Sequence, residues 1–279
     1  MFFAKKDALK RLFLCPCVRP WVAACIASLL ITQSALANTN CPSPNYDETN
    51  RIKYIIDGDT LQLKDGRKVR LIGINAPETA RDNRAAQPFA AEATNALKAL
   101  FAQNKSISLV YGNEKFDRYK RLLAHGFTTS GENIQAVLLA QGYAHTITFP
   151  PNARFATCYQ QQEREARCNK AGLWQKSKSL IAKKLNDTHI GFQLVEGKLK
   201  DININKKGIR LNLDNKLTVG IRPDNQSLFD TNTLHKMLDQ KIVVRGWLNK
   251  NKNAHYYTPY YIRARHPSSI QLISDFTCH

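Results

Sequence analysis

Three short segments of the sequence combine carboxylates, arginines and an amide in an order that could hold a metal ion beside an anion. They are residues 57–60 (Asp-Gly-Asp-Thr), residues 70–79 (Arg-Leu-Ile-Gly-Ile-Asn-Ala-Pro-Glu-Thr) and residues 117–122 (Asp-Arg-Tyr-Lys-Arg-Leu). Carboxylate and amide oxygens are ligands for hard cations, and guanidinium groups donate paired hydrogen bonds to phosphate oxygens. Each segment alone also has an ordinary structural interpretation, since Asp-Gly-Asp is a common turn. The combination indicates chemistry more strongly than any one segment.

The residues around these segments alternate like β-strands and then change to a helical pattern. Five strands are predicted in this half of the chain, at residues 51–56, 60–63, 69–74, 107–110 and 122–127. Three helices are predicted, one from Pro88, one over 133–141 and one over about 153–170. This order is typical of a small closed barrel with helices packed against it, a mainly β protein of the α+β class.

Alternation along the third strand lets Arg70 point into the mouth of this barrel. Pro77 stiffens the following loop, which would present Glu78. Together and in this order, the three segments resemble the thermonuclease family, the staphylococcal-nuclease-like endonucleases. The resemblance covers about residues 50–175, and it includes Gly-Tyr-Ala at 142–144 and Ala-Gly-Leu-Trp at 171–174. It implies a five-stranded oligonucleotide-binding (OB) barrel with three helices, which agrees with the strand count.

The resemblance also implies roles for individual residues. Arg70 and Arg121 would bind the scissile phosphate, and Glu78 would activate the attacking water. Tyr119 would hydrogen-bond a neighbouring phosphate, and Arg118 beside it belongs to the same substrate-binding set. These residue types suit the reaction, because phosphodiester hydrolysis builds negative charge on a group that is already anionic.

A calcium site is implied by the same resemblance. Asp59 would be a ligand with Asp57 nearby, and the side chain of Asn75 and the backbone carbonyl of Ala76 would supply two more oxygens. The family pattern has Asp where this chain has Asn75. An amide keeps a carbonyl ligand but removes one negative charge, so we expect weaker calcium binding with activity retained.

A second departure lies after Gly142, where residues 146–151 (Thr-Ile-Thr-Phe-Pro-Pro) lack the tyrosines of the family. Base stacking is therefore in question, although Phe149 could stack in part.

The second half of the chain begins a new strand pattern. Strands are predicted at 192–204, 208–213, 217–221, 241–248 and 260–265, with a helix at 231–238. This order fits a second, smaller OB-like β domain. Its surface is predicted to be rich in lysine, arginine and aromatic residues: Lys198, Lys200, Lys206, Lys207, Arg210, Arg245, Lys250, Lys252, Trp247, Tyr256, Tyr257, Tyr260 and Tyr261. Either they form a nucleic-acid groove, or the rings are core and the lysines only solubilise.

The whole chain of 279 residues has 41 Lys and Arg against 22 Asp and Glu, a net charge of +19. Such a surface attracts polyanions such as nucleic acid, anionic lipid or cell-wall polymer. Residues 1–37 have a basic start, an apolar stretch and Ala-Leu-Ala at 35–37, which predicts a signal peptide cleaved after Ala37. A lipoprotein motif ending at Cys25 is the alternative. No apolar run is long enough to predict a membrane span in the mature chain.

Four cysteines follow the predicted signal: Cys41, Cys158, Cys168 and Cys278. In an exported protein they predict two disulfides, with three connectivities open. Cys158 and Cys168 could pair only if their helix were interrupted, because ten helical residues rise about 15 Å. His125, His145 and His235 show no metal-ligand spacing and receive no role.

The predicted organisation is a signal peptide (1–37), an extension (38–49), a catalytic OB barrel (50–176), a linker (177–190) and a C-terminal nucleic-acid-binding domain (191–279). We expect a secreted or periplasmic, monomeric, calcium-dependent endonuclease that acts on DNA, RNA or both. One alternative is a catalytically weak or inactive nucleic-acid-binding protein of the same fold. Another is a basic module that docks on the cell envelope.

Overall fold

The first half of the chain forms a closed barrel. The computed structural model describes residues 41–80, 85–176, 179–252 and 258–278, so the predicted signal peptide, Tyr256 and Tyr257 lie outside the described residues. Five barrel strands are hydrogen-bonded in the order β1-β2-β3-β6-β5. The strands of this half are β1 (Glu48–Ile55), β2 (Thr60–Leu63), β3 (Lys68–Leu71), β4 (Ile74–Asn75), β5 (Ser106–Phe116), β6 (Leu122–Phe127) and β7 (His145–Thr146).

Three helices pack against this barrel: α1 (Ala90–Ala99), α2 (Ile134–Ala140) and α3 (Ala156–Cys168). The alternating apolar residues of the strands fill the interior, where Leu61, Leu63 and Leu71 are fully buried. Leu97 of α1 and Leu138 of α2 belong to the same cluster. The predicted five-stranded barrel with three helices is therefore confirmed.

The third predicted strand, at 69–74, differs from the structure. Strand β3 ends at Leu71, and β4 then pairs with β7 in a separate two-stranded ribbon. Gly73 between them has φ of 88°, a left-handed conformation that glycine adopts without strain. The chain thereby leaves the barrel, and β4 leads into the loop that contains Ala76 and Glu78.

A second ring of strands follows the barrel. Its sheet has the order β14-β12-β13-β11-β10-β9-β8, and an additional β12–β9 pairing closes five of these strands. The elements are β8 (Leu180–Ile181), β9 (Gly191–Asn205), β10 (Gly208–Leu213), β11 (Leu217–Ile221), α4 (Pro223–Gln226), α5 (Thr231–Lys236), β12 (Lys241–Lys250), β13 (Tyr260–Arg263), β14 (Ile270–Leu272) and α6 (Ile273–Phe276). This second barrel-like sheet confirms the predicted second OB-like element.

Residues 179–190, within the predicted linker, pack on the second ring. Strand β8 is parallel to β9, and Ala182 and Leu185 are buried in the core of the ring. Thr39–His279 form one compact unit. The functional division into domains stays a prediction. None of the helices in the described ranges is long and apolar enough to cross a membrane.

Two disulfides settle the connectivity that the sequence left open. Cys41 pairs with Cys158, with Cα atoms 5.8 Å apart, and Cys168 pairs with Cys278 at 5.3 Å. The first ties the start of the described chain to α3. The second ties the end of α3 to the C-terminal segment, so the helix is linked covalently at both ends.

A buried ion pair joins α3 to the second ring. Glu163 of α3 and Arg245 of β12 are each almost completely buried, and Arg245 Nη1 lies 2.7 Å from Glu163 Oε2. The amide of Thr146 in β7 donates to Glu163 Oε1 at 2.8 Å, and Arg245 donates to the carbonyl and hydroxyl oxygens of Thr146. Burial alone would raise the pKa of Glu163, but Arg245, His145 and the Thr146 amide outweigh it and hold the pKa at about 2.

Glu163→Gln should lower the free energy of unfolding at pH 7 by about 3–5 kcal/mol, because it leaves the Arg245 charge buried without its partner. The folded-state pKa near 2 lies below the ordinary value of 4.5. The carboxylate's contribution is therefore fully present above about pH 5 and is lost as the pH falls toward 2. Urea unfolding across this range should show that the difference in unfolding free energy between parent and variant becomes smaller as the pH falls.

Glu165→Gln is the matched control, because Glu165 lies two residues along α3 and is partly exposed. It should change stability by less than about 0.5 kcal/mol. A difference between Glu163→Gln and the parent that stayed constant from pH 7 to pH 2 would contradict the assignment.

Candidate active site

The turn between β1 and β2 places Asp59 at the centre of a hydrogen-bonded cluster. Its Oδ1 accepts from the Thr60 hydroxyl at 3.0 Å, and its Oδ2 accepts from the Ala76 amide at 2.9 Å. Its own amide donates to Asp57 Oδ1 at 3.1 Å. Both carboxylates are largely buried. The first and second of the sequence segments are therefore brought together.

Gly58 allows this approach. A Cβ atom at this position would lie 2.7 Å from the Cβ of Ala76 and 2.8 Å from the Cβ of Ala93 in α1. Any side chain would push the turn away from the 75–78 loop and from α1. The glycine is therefore required by close packing.

Arg70 closes the cluster from β3. Its Nη2 lies 2.9 Å from Asp59 Oδ2 and donates to the Ile74 carbonyl at 3.0 Å, and its Nη1 donates to the Leu71 carbonyl. These contacts with described residues leave two of its five N–H donors for another ligand. The guanidinium is held in one orientation at the point where the chain leaves the barrel.

Burial raises the pKa of Asp59 to about 6, above its ordinary value of 3.8. Asp57 raises it further, while Arg70 and the hydrogen bonds from Ala76 and Thr60 lower it. A second cation near Asp59 would stabilise the charged form of this carboxylate, because burial penalises that form.

The ribbon of β4 and β7 positions the next residues. Asn75 pairs with His145 across the ribbon, and the amide of Ile147 donates to the Gly73 carbonyl at 3.0 Å. Beyond Ala76 the loop reaches Glu78, whose side chain is exposed. Gln87 holds the backbone of Glu78. Its side-chain Oε1 accepts from the Glu78 amide, and its backbone amide donates to the Glu78 carbonyl, both at 2.9 Å.

The third segment forms the turn between β5 and β6. Asp117 Oδ1 accepts from the amides of Tyr119 and Arg121, and its Oδ2 accepts from Arg121 Nε at 2.7 Å. Burial would raise the pKa of Asp117, but these contacts with Arg121 and Tyr119 lower it. The Arg118 guanidinium lies 4.7 Å from the centre of the Tyr119 ring, which is exposed. Within the described ranges no hydrogen bond or ion pair engages the terminal nitrogens of Arg121, which can therefore donate to a ligand.

Arg121 immediately precedes β6, the strand that neighbours the β3 strand of Arg70. Strands β3 and β6 are parallel with Arg70 opposite Leu123, and Arg121 is two residues before Leu123. The structure thus joins Asp57, Asp59, Arg70 and Ala76 by direct contacts. It places Tyr119, Arg118 and Arg121 in a second group, around Asp117.

Sequence reasoning missed two positioning residues. Asp117 stood in the third segment without a role, although its position four residues before Arg121 is a usable signal. Gln87 lies nine residues after Glu78 with no pattern linking them, so only the folded chain could identify it.

The predicted metal-ligand set is poor in carboxylates. The described ranges contain no group of three or more His, Cys, Asp or Glu side chains arranged around a metal position. Asp59 still has acceptor capacity on Oδ1, and the Ala76 amide, which contacts Asp59 Oδ2, belongs to the segment whose Asn75 side chain and Ala76 carbonyl are the other predicted ligands. This all-oxygen set fits a hard cation such as Ca²⁺, with fewer charges than a strong site has.

The geometry agrees with comparisons to known proteins. The model of the staphylococcal nuclease homologue family matches residues 68–176. The thermonuclease of Staphylococcus intermedius is 33% identical over 132 residues, covering 46% of this chain and 77% of that protein. The thermonuclease of Staphylococcus hyicus is 30% identical over 144 residues, with 50% and 80% covered. Endonuclease YncB of Bacillus subtilis is 32% identical over 126 residues, with 44% and 59% covered. This chain belongs to the staphylococcal nuclease family, as its motifs predicted.

Asn75→Asp should strengthen calcium binding about tenfold, because it restores a negative charge to the ligand set. Titration calorimetry with CaCl₂ measures this directly. Asn104→Asp is the matched control, since Asn104 Oδ1 accepts from the Ser106 amide on a surface loop, a role that Asp retains. Equal calcium affinity in Asn75→Asp and the parent, or an equal gain in Asn104→Asp, would contradict the ligand role of Asn75.

Proposed function

We propose that this nuclease of the staphylococcal nuclease family is an exported, calcium-dependent endonuclease that hydrolyses phosphodiester bonds of DNA, RNA or both. The observation that carries the proposal is the contact of Arg70 with Asp59 beside the loop that presents Glu78. This puts a fixed cation, a buried carboxylate and an exposed carboxylate at one edge of the barrel. The remaining assignments follow from the chemistry of each group.

The two arginines would bind the scissile phosphate. Arg121 is anchored to Asp117 through Nε, so its terminal nitrogens can donate a pair of hydrogen bonds to phosphate oxygens. Arg70, on the strand beside β6, has two N–H groups free of described partners. Tyr119 and Arg118, exposed beside them, would contact a neighbouring phosphate.

Glu78 would act as the base. Gln87 holds its backbone amide and carbonyl. Its side chain is exposed and makes no hydrogen bond or ion pair with the other residues that the structure describes, so a water molecule can approach the carboxylate. A carboxylate placed in this way can remove or orient a water proton as the water attacks phosphorus.

Asp59, Asn75 and Ala76 would hold the calcium ion, with Asp57 nearby. When bound, such an ion polarises a phosphate oxygen and lowers the pKa of coordinated water. Within the chain itself, Gly58 and the Ala76 amide set the separation between Asp59 and the 75–78 loop, so they fix the placement of these ligands.

Export is supported by the cysteines. Two disulfides link Cys41 to Cys158 and Cys168 to Cys278, and such bonds persist in oxidising compartments such as the periplasm and the medium. A secreted or periplasmic location agrees with the signal peptide expected over 1–37. The net charge is +19 for the whole chain, and removal of residues 1–37, with five basic residues and one acidic, leaves +15 to draw polyanionic substrates to the protein.

A catalytically weak nucleic-acid-binding protein is the second candidate, and Asn75 is the observation that favours it. The loss of one ligand charge could leave the calcium site empty at ordinary calcium concentrations. Glu78 supports the enzyme, because a protein that only binds has no need of an exposed carboxylate facing a phosphate.

A plasmid nicking assay at millimolar calcium, with and without chelator, separates the two candidates. Arg121→Ala should lower kcat by about 10²- to 10³-fold because it removes a donor to the developing charge. Glu78→Gln should lower kcat by at least about 10²-fold because it removes the base. Chelator should abolish cleavage by the parent.

Two controls remove charges of the same kind elsewhere. Arg164→Ala on α3 and Glu92→Gln on α1 both change exposed residues and should cleave like the parent. If Glu78→Gln and Arg121→Ala also cleaved like the parent, the assignment of the site would be wrong. If the parent bound nucleic acid without cutting it, the second candidate would stand.

A further inference from the structure

Four arginines of the second ring are gathered in one region of its surface. Five arginines follow residue 190, and Arg245 is buried in the pair with Glu163, so it does not belong to the predicted basic surface. Arg210 of β10 lies opposite Gly220 of β11, which lies opposite Arg263 of β13. Opposite residues project from the same side of a sheet, so Arg210 and Arg263 flank Gly220 with their Cα atoms about 10 Å apart. We call these four residues the arginine face: Arg210, Arg222, Arg263 and Arg265.

Arg222 and Arg265 add to the positive charge of this face. Burial lowers the pKa of Arg265, and the neighbouring charges of Arg263 and Arg222 lower it further. No carboxylate of the described residues forms an ion pair with Arg222 or Arg265. The contacts and the strand register place two carboxylates here, Asp224 beside Arg263 and Asp201 on the neighbouring strand β9. The arginines therefore outnumber the carboxylates, and an anionic ligand would relieve their mutual repulsion.

A tyrosine lies between the two central arginines. A Cβ atom at Gly220 would be 2.3 Å from the hydroxyl oxygen of Tyr261, so the glycine makes room for the phenol ring. The ring thereby lies over the position that Arg210 and Arg263 flank. The Tyr261 hydroxyl forms no hydrogen bond with the residues that the structure describes, and it can donate to an anion.

Arg263 is held in one orientation by the segment that follows β11. Its Nη2 lies 3.0 Å from Asp224 Oδ2 and donates to Asn225 Oδ1 at 3.4 Å. Its Nη1 forms no hydrogen bond within the described part of the chain. In the candidate active site, Asp117 anchors Arg121 in the same manner. An arginine fixed by a carboxylate can donate its remaining nitrogen to a phosphate oxygen with little loss of side-chain freedom.

The strand positions around these arginines are polar. Asn212, Thr218 and Tyr261 form the next row on the same side of the sheet, and Asn203 lies opposite Arg210. A surface that docks on a lipid bilayer presents apolar anchors such as Leu, Phe or Trp instead. A polymer with a phosphate on every unit can contact the separate arginines at once. Nucleic acid therefore fits this face better than a membrane or a single small anion.

We propose that the arginine face binds the phosphate backbone of a nucleic acid, apart from the candidate active site and without reading its sequence. Guanidinium and hydroxyl contacts to phosphates fix the position of a strand but carry no base information. DNA and RNA, single or double stranded, all present a line of phosphates to such a surface. The inference rests on the proposed function for the class of ligand, but it requires no cleavage.

Removal of two central arginines should lower both the affinity for DNA and its dependence on salt. Binding of a fluorescent duplex is measured in chelator, so that no cleavage occurs, over a series of NaCl concentrations. Each phosphate contact contributes about 0.9 to the slope of log K against log salt, so Arg210→Gln combined with Arg263→Gln should reduce that slope by about 1.8. The same variant should bind the duplex at least about tenfold more weakly at low salt.

Matched variants separate this face from overall charge. Arg51→Gln combined with Arg164→Gln removes the same charge from exposed residues of β1 and α3, and it should keep the slope of the parent. Tyr261→Phe removes only a hydroxyl group, so it should weaken binding about threefold to tenfold with the slope unchanged. Arg210→Lys combined with Arg263→Lys keeps the charge and should recover the slope. Thermal melting confirms that each variant is folded.

An unchanged slope in the glutamine variant of Arg210 and Arg263 would overturn the proposal. So would an equal reduction in the glutamine variant of Arg51 and Arg164, because overall charge would then explain binding. Loss of binding to phosphatidylglycerol vesicles with DNA binding unchanged would also overturn it, since the face would then be a membrane contact. The proposed function fails separately. A parent that bound the duplex through the arginine face but cut nothing at any calcium concentration would keep this inference and lose the proposed calcium-dependent cleavage.

Discussion

The buried pair of Glu163 and Arg245 is the interaction on which the arrangement of the molecule depends. A carboxylate and a guanidinium in an apolar interior are tolerated only when they satisfy each other and their remaining hydrogen bonds. Glu163 comes from α3 and Arg245 from β12, and both contact Thr146 of β7. One pair of charges therefore holds α3, the second ring and the β4–β7 ribbon beside the candidate active site in a single arrangement.

Strand β7 extends the effect of this ion pair in two directions. In one direction β7 pairs with β4, which ends at Asn75 and leads into the Ala76–Glu78 loop. In the other direction the same segment carries Phe149 to Trp247. The second ring is therefore part of the structure that positions the Ala76–Glu78 loop. The Cys168–Cys278 bond reinforces this connection from the far end of α3.

Local patterns were enough to predict both strand rings, because alternation and turn residues are properties of neighbouring residues. The charged segments were also recognisable, because each is a short run of neighbouring residues that can be identified without knowing the fold. The Arg245–Glu163 pair could not be predicted from the sequence. Its members are 82 residues apart, and each alone resembles a surface charge. The disulfide pairing and the split of the third strand at Gly73 likewise depend on contacts that form only after folding. The site assignments for Arg70, Glu78 and Arg121 stay predictions.

Amide hydrogen exchange of Thr146 and Ile147 in Arg245→Met tests most directly whether this pair controls the β4–β7 ribbon. The Thr146 amide donates to Glu163, and the Ile147 amide donates to Gly73. Their exchange should accelerate about 100-fold in the variant, beyond any change shared with the buried barrel residue Leu61. If Thr146 and Ile147 kept their protection relative to Leu61, the barrel alone would hold the ribbon, and the Glu163–Arg245 pair would have no control over the Ala76–Glu78 loop.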